Sequence, residues 1–350
     1  MLTPLTPLGK RVALFAGLCA ACGVIVAAYV LFLRKPPAAP QGIASVWVRD
    51  HPREFAEALA QPHVVFVNTT FDDRNNRVSI APLGALSGPR YVTAASCDRV
   101  YVGGGHTLCL KADRKMITSY AGIQLDENFN EVWRFPLQGT PSRTRVSPDG
   151  RLGAVTVFVQ GDSYAAGSFS TRTTLVDLVG HQIIRDLETF AVKRDGQEFR
   201  KLDFNFWGVT FSPNDPDVFY STLSTGGEML LMRASISRRE MDVVHSGVEC
   251  PSLSPDGTRV VYKKREIQAG RLNWRLHVLI LQTLADVALA EEGSVDDQAE
   301  WLDNEQVTYA LASPPPAVAG SDLWVVRADG TGSPRSLLQQ AYSPSVVRSP

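Results

Sequence analysis

The sequence has no excess of charge of either sign. Its 35 lysine and arginine residues nearly balance 36 aspartate and glutamate residues, which leaves a net charge of −1. A protein that binds nucleic acid needs a basic surface to neutralise phosphates, and no basic cluster occurs along the chain. Nucleic acid is therefore excluded as an expected partner.

The sequence also lacks the short motifs that identify a catalytic or metal site. Six histidines are scattered without the HxH or HExxH spacing of metal ligands. The glycines at residues 103–105 lack the lysine of a phosphate-binding loop, and the G-x-S-x-G element of hydrolases is absent. We therefore expect no cofactor and no metal ion, and we assign no catalytic residue.

One long run without charge lies near the amino terminus. Residues 12–33 contain no charged side chain, and they are flanked by Lys10 and Arg11 before and by Arg34 and Lys35 after. A helix of that length spans about 33 Å, enough to cross the hydrocarbon core of a membrane. We expect residues 1–35 to form a cytoplasmic tip and an uncleaved transmembrane signal anchor; a cleaved signal peptide is the alternative.

The next segment, residues 36–62, is expected to be a linker. It begins with a proline-rich spacer at residues 36–41 and continues into a short amphipathic helix at residues 49–60. The third predicted region is one large domain over residues 63–350, in which 27 glycines and 22 prolines across the whole chain favour many turns.

Two of the five cysteines share one expected hairpin. Cys97 and Cys109 flank the glycine turn of an expected hairpin, which predicts a disulfide; two buried free thiols are the alternative. A bridge places the large domain outside the cytoplasm, in the periplasm or at the cell surface. Cys250 is expected to stay unpaired.

A repeat runs through the large domain. Windows that begin at residues 147, 212, 254 and 301 share a turn of the Ser-Pro-Asp-Gly type followed by a small or apolar triplet, and a shortened copy begins at residue 96. Repeats of about 40 to 50 residues are typical of the four-stranded, WD40-like blades of a β-propeller. Residues 188–206 are expected to be an insertion.

The strand before each turn is predicted to be the inner strand of a blade. This places inner strands at residues 91–95, 143–146, 208–211, 251–253 and 298–300, and a sixth at residues 343–347. The last has no outer strands after it, whereas residues 64–69 and 77–82 form an orphan pair ahead of the first. We therefore predict that the ring closes by pairing residues 343–347 with residues 64–69, which removes the free sheet edges.

Three segments resemble the repeat of a known family. They read RVSPDGR, PSLSPDGTRVVYK and SDLWVVRADGTGSPRSL, and they are similar to the repeats of TolB-type six-bladed β-propellers. The layout also resembles bacterial proteins described as TolB-like translocation proteins. The resemblance implies an all-β, six-bladed propeller with a role in the cell envelope, where TolB binds a peptidoglycan-associated lipoprotein.

The loops that lead into the inner strands of a propeller converge on one mouth of its central channel. Eight polar or aromatic residues are expected there: Arg143, Arg145, Asn205, Trp207, Glu249, Asp296, Asp297 and Gln298. Such a set suits the termini and side chains of a peptide, although channel mouths are wet and polar whatever their role.

Two functions remain open from the sequence. The favoured one is a membrane-anchored, extracytoplasmic scaffold that binds an envelope protein or peptide without catalysis. The alternative is a propeller enzyme, lactonase-like or lyase-like, whose site is assembled at the channel mouth from several blades.

Overall fold

A computed structural model of the protein describes residues 7–28, 44–159, 170–313 and 320–348. The chain forms two compact units, and the described part of the amino-terminal unit is helix α1 (Pro7–Ala28). Among the described residues, no helix combines the length and the apolar character needed to cross a membrane. The spacer at residues 36–41 and residues 29–33 of the apolar run lie outside the described residues.

The second unit is all-β apart from helix α2 (Pro52–Leu59) and three single turns of 3₁₀ helix. In the described part of the chain, 27 strands form six antiparallel blades, with additional strands at the edges of two of them. Blade 2 and all of blade 1 except its inner strand are formed by β1 (Ser45–Trp47), β2 (His63–Asn68), β3 (Arg77–Pro82), β4 (Arg90–Ser96), β5 (Arg99–Gly103), β6 (His106–Arg114), β7 (Thr118–Leu125) and β8 (Glu131–Leu137).

The middle blades follow in chain order. Their strands are β9 (Thr140–Val146), β10 (Leu152–Val159), β11 (Ser170–Asp177), β12 (Gln182–Asp186), β13 (Ala191–Arg194), β14 (Gln197–Glu198), β15 (Asn205–Phe211), β16 (Val218–Thr225), β17 (Glu228–Ser235) and β18 (Glu240–Ser246). The last strands are β19 (Glu249–Leu253), β20 (Arg259–Gln268), β21 (Arg271–Ile280), β22 (Asp286–Ala288), β23 (Glu300–Trp301), β24 (Gln306–Ala312), β25 (Ser321–Arg327), β26 (Arg335–Leu338) and β27 (Ala341–Val347).

The innermost strands of blades 1 to 6 are, in that order, β27, β5, β9, β15, β19 and β23. Each contacts the next around the ring, and β23 returns to β27. The predicted six-bladed propeller is therefore confirmed. Closely packed side chains between neighbouring blades form the core, for example around Trp301 and Tyr309, which are fully buried.

The ring closes as the sequence predicts. Strand β27 pairs antiparallel with β2, with Val346 opposite Val64 and Ser345 opposite Val65. Blade 1 thus takes its inner strand from the end of the domain and its outer three from the beginning. Strand β1 adds to its outer edge by pairing in parallel with β4.

One predicted inner strand is wrong. Residues 91–95 lie in β4, the fourth strand of blade 1, and the inner strand of the next blade is β5. The error arose because β5 turns into β6 through glycines rather than through Ser-Pro-Asp-Gly; Gly104 and Gly105 have φ of +52° and +78°. The segment that starts at Ser96 is therefore a connection between blades. At the fifth site the strand comprises Glu300–Trp301, so most of the predicted 298–300 precedes it.

The Ser-Pro-Asp-Gly turns have a common physical basis. In the turn after β9, the Ser147 hydroxyl donates to Asp149 and accepts from the amide of Leu152 at 2.9 Å. Ser254 makes the same bonds to Asp256 and, at 3.0 Å, from the amide of Arg259. These bonds satisfy the backbone where strands reverse, which explains why the motif recurs.

The predicted insertion is shorter than residues 188–206. Its last two residues, Asn205 and Phe206, belong to inner strand β15, and Phe206 is buried. The inserted part adds β13 and β14 to the outer edge of blade 4, where β13 pairs in parallel with β18. Leu187, Phe190 and Val192 pack into the core of that blade.

The predicted disulfide is confirmed. Cys97, just before β5, is bonded to Cys109 in β6. Cys250 is a buried free thiol, and Cys19 and Cys22 in α1 are exposed.

Candidate functional site

A cavity of about 700 Å³ lies at the end of the central channel where the inner strands begin. It is lined by side chains from several blades: Arg99, Ser142, Arg143, Phe158, Thr171, Trp207, Glu249, Cys250, Lys263, Arg265, Trp274, Asp296 and Tyr342. Four of these side chains are cationic and two are carboxylates, so the lining has a positive balance. We call this cavity the mouth site.

The upper layer of the mouth site contains two ion pairs against an aromatic ring. The ammonium of Lys263 lies 2.6 Å from an Asp296 oxygen and 5.2 Å from the ring centre of Trp274. The Lys263 side chain is only 5% exposed, whereas that of Asp296 is 65% exposed. Arg265 binds Glu249, which also accepts a bond of 3.3 Å from the Trp274 indole.

A second layer lies below and is centred on Asp297. Both Asp297 oxygens accept from Arg99, at 2.9 and 3.0 Å, and Arg143 approaches to 3.3 Å. Burial opposes ionisation of this carboxyl, but the two guanidinium groups outweigh it and lower its pKa to about 2. Arg99 stacks on the ring of Tyr342 at 4.3 Å, and burial raises the pKa of that phenol to about 12.

A third layer continues into the channel. Arg145 lies 3.4 Å from Glu300 and 4.4 Å from the ring centre of Tyr101, whose hydroxyl donates to Glu300 at 3.2 Å. Arg348 approaches the same carboxylate to 3.2 Å. Burial and the Glu300 charge raise the pKa of Tyr101, so the phenol stays protonated as a donor.

The alternation of strands explains the layers. Successive residues of a strand point to opposite faces, so residues two apart share the channel side. Arg99 and Tyr101 on β5 follow this rule, as do Arg143 and Arg145 on β9. Strands β5 and β9 therefore each supply one side chain to the second layer and one to the third.

Four of the eight predicted residues line the mouth site: Arg143, Trp207, Glu249 and Asp296. The other four lie elsewhere and already have partners. Asp297 and Arg145 occupy the deeper layers described above. Gln298 donates to the carbonyls of Val209 and Pro251 and so connects β15 to β19.

Asn205 holds the edge of the site. Its side-chain oxygen accepts from the amide and the hydroxyl of Thr171, at 2.9 and 2.6 Å. This ties the start of β15 to β11 of the preceding blade. Asn205 therefore helps to fix the positions of the two strands at the edge of the mouth site.

Sequence reasoning missed nine lining residues, among them Arg99, Lys263, Arg265, Trp274 and Tyr342. Arg99 was lost because β5 was not recognised as an inner strand. Lys263 and Arg265 come from the second strand of blade 5, and only loops before inner strands were considered. Glu249, the first residue of β19, lies opposite Lys263 in β20. The residues of β20 after Lys263 therefore have no partner in β19 and extend over the channel mouth.

Among the described residues, no group of three or more His, Cys, Asp or Glu side chains is placed to hold a metal ion. The arrangement instead offers paired cations, buried carboxylates and two indole rings. These groups suit the binding of a charged and partly apolar ligand.

The fold is similar to solved propellers. TolB from Acinetobacter baumannii matches with a TM-score of 0.58 and 15% identity, over 81% of this chain and 66% of that chain. A chain of a nidogen/laminin complex matches with a TM-score of 0.53 and 10% identity, over 81% of this chain and 98% of that one. No family model matches the sequence, and no curated protein matches it.

The chain therefore has a TolB-like six-bladed β-propeller fold. It spans slightly less than two thirds of the length of the TolB chain. At these identities the likeness concerns the fold.

Proposed function

We propose that the propeller is a scaffold of the cell envelope that binds a protein or peptide segment at the mouth site. The observation that carries this proposal is the pairing of buried Lys263 with exposed Asp296 beside Trp274. A cavity of about 700 Å³ falls within the range of ligand sites in proteins, and it is lined by apolar rings with a few charged groups.

The ligand is expected to supply a carboxylate. Lys263 is a desolvated cation whose carboxylate partner is mostly in water, so a carboxylate from the ligand can take the place of Asp296 without leaving the ammonium unpaired. Trp274 and Trp207 then cover the apolar part of the ligand. The chemistry fits a peptide carboxyl terminus or an acidic side chain next to an apolar one.

Crosslinking in intact cells tests this proposal. A photoreactive phenylalanine analogue at Phe158, which lines the mouth site, should give a defined adduct, and the same analogue at Val179 should not. Lys263→Met should reduce the adduct about tenfold or more, because a charge-assisted bond is lost. Asp296→Asn should increase it, because the competing carboxylate is removed.

Lys264→Met is the matched control. Lys264 also pairs with a carboxylate, Asp286, but it does not line the mouth site. A purely structural role of Lys263 predicts that both methionine variants behave alike. Equal loss in the two variants, or no adduct at Phe158, contradicts the proposal.

We also propose that residues 12–33 anchor the chain in the cytoplasmic membrane, with the propeller over residues 63–350 outside the cytoplasm. Support comes from the uncharged run in the sequence and from the Cys97–Cys109 disulfide, which persists in oxidising compartments. Protease added to intact spheroplasts should digest the propeller. A protected propeller that is digested only after lysis contradicts the assignment.

A further inference from the structure

Several of the most exposed large apolar side chains lie on one face of the propeller. Inner strands begin at the mouth site and run away from it, so the hairpin between the second and third strands of a blade returns to the mouth side. The tips of two such hairpins, β6–β7 and β20–β21, carry exposed aliphatic residues. The loop that leads into β15 carries a third.

The first tip follows β6. Met116 is fully exposed and Ile117 is 82% exposed, next to Lys115. The β20–β21 hairpin, which we call the third tip, presents Ile267 at 75% exposure beside Arg271; the second tip is described below. Both hairpins extend beyond the ends of the inner strands, so these side chains lie on the outer surface of the mouth side.

The second tip is formed by Lys201 and Leu202, and Leu202 is 98% exposed. The following residue, Asp203, bonds to the hydroxyl of Thr225 and the amide of Gly226, which form the β16–β17 turn. Because that turn is a second-to-third strand connection, the tip lies on the mouth side.

Each tip combines an aliphatic side chain with an exposed cation. Lys115, Lys201 and Arg271 are exposed, and none of them forms an ion pair with another described residue. We do not include the tip at Phe71, because two carboxylates follow it and its cation, Arg74, is already paired with Asp72. At the second tip the single adjacent carboxylate, Asp203, is bonded to the β16–β17 turn.

We propose that this face docks on the surface of an anionic lipid bilayer, with the three tips in the interface. A protein partner needs a continuous apolar area, whereas these tips are single hairpins or loops on three different blades. A bilayer accepts separate aliphatic tips at the level of its headgroups, and unpaired cations beside each tip match anionic lipids. The proposal depends neither on the mouth-site ligand nor on residues 12–33.

The test uses the full-length chain with an environment-sensitive fluorophore on a single cysteine. Cys19→Ser and Cys22→Ser remove the exposed native thiols, and Met116→Cys, Leu202→Cys or Ile267→Cys introduces the label. Val179→Cys and Leu284→Cys, exposed tips between third and fourth strands on the opposite face, are the controls. Vesicles contain phosphatidylcholine alone or mixed with phosphatidylglycerol, with brominated lipid as a quencher.

We expect blue-shifted emission and quenching by brominated lipid at the three tips in anionic vesicles, and at neither control. Replacing Lys115, Lys201 or Arg271 by Gln should weaken the response about fivefold each, and the triple variant about a hundredfold.

Three results would overturn the proposal: tips that stay in water, an equal response in phosphatidylcholine alone, or a shift without quenching, which indicates contact with a second copy. Because the readout is local to each tip, binding of vesicles through residues 12–33 cannot produce it.

Discussion

Deleting residues 341–350 should cost far more stability than ten terminal residues normally do. The deletion removes β27, which is the inner strand of blade 1. Five of its residues are paired with β2, and the hydroxyls of Ser343 and Ser345 bond to the backbone of β5. The strand therefore holds both of its neighbours in the ring.

The size of the effect can be worked out from these contacts. Net contributions of about 1 kcal/mol per backbone hydrogen bond, and about 2 kcal/mol for burying Val346, give a loss of roughly 4 to 8 kcal/mol. Whole domains are stable by only about 5 to 15 kcal/mol. The melting temperature should fall by roughly 10 to 20 °C, or the truncated chain should fail to fold.

Thermal unfolding followed by circular dichroism measures the shift, and a synthetic peptide of residues 341–350 added in trans should restore it. Removing Asp195 and Gly196 at the exposed β13–β14 turn is the control, and it should shift the midpoint by only about 2 °C. A truncated chain that melts within about 2 °C of the full-length protein would refute the closure argument.

Three further predictions concern single sites. The carboxyl of Asp297 has a folded pKa of about 2, below the unfolded value of about 3.9, so its contribution of about 2 to 3 kcal/mol is complete above pH 4 and is lost as the pH falls towards 2. Asp297→Asn should therefore flatten the acid side of a urea-unfolding series, and an unchanged slope would argue against the Arg99 pair. Arg90 is buried, and its Nε and one terminal nitrogen have no hydrogen-bond partner among the described residues. Burial lowers its pKa to about 10, so Arg90→Met should stabilise the fold by about 1 to 3 kcal/mol in urea titration; destabilisation would show that the Phe66 ring and the charge of Asp322 compensate for the burial. Reduction of the Cys97–Cys109 bridge should lower stability by up to about 3 kcal/mol, and a double alanine variant should be equally destabilised but insensitive to reductant.

Counting repeats was enough to predict the closed ring. The evidence for the repeat was local, because each Ser-Pro-Asp-Gly turn provides hydrogen-bond partners for its own backbone groups within a few residues, as at Ser147. The blade that begins at β5 uses a glycine turn instead, so the same criterion failed there. Sequence periodicity therefore specified the number of blades better than it specified where each blade begins.

The mouth site was predictable only in part. Arg143, Trp207, Glu249 and Asp296 line the cavity as expected. The first three lie in the inner strands themselves, and only Asp296 lies in the loop before its strand. Arg265 lines the cavity because β20 is ten residues long while its inner neighbour β19 has five, and the register pairs Lys263 with Glu249, the first residue of β19. The number of residues by which one strand extends beyond its partner depends on the relative lengths of the two strands, and no local sequence motif predicts it.

The closure of blade 1 also has a consequence for biosynthesis. Val64 and Val346 are partners across the first and last strands, so their pairing must wait until the ribosome has added about 280 further residues, roughly 15 to 55 s at ordinary elongation rates. During that interval β2 has no partner on one side, and its buried valines and Phe66 form an apolar edge open to other chains. Nascent chains of this protein are therefore most vulnerable to misassociation at their earliest folded segment, and a chaperone that covers residues 63–68 until synthesis ends would protect them.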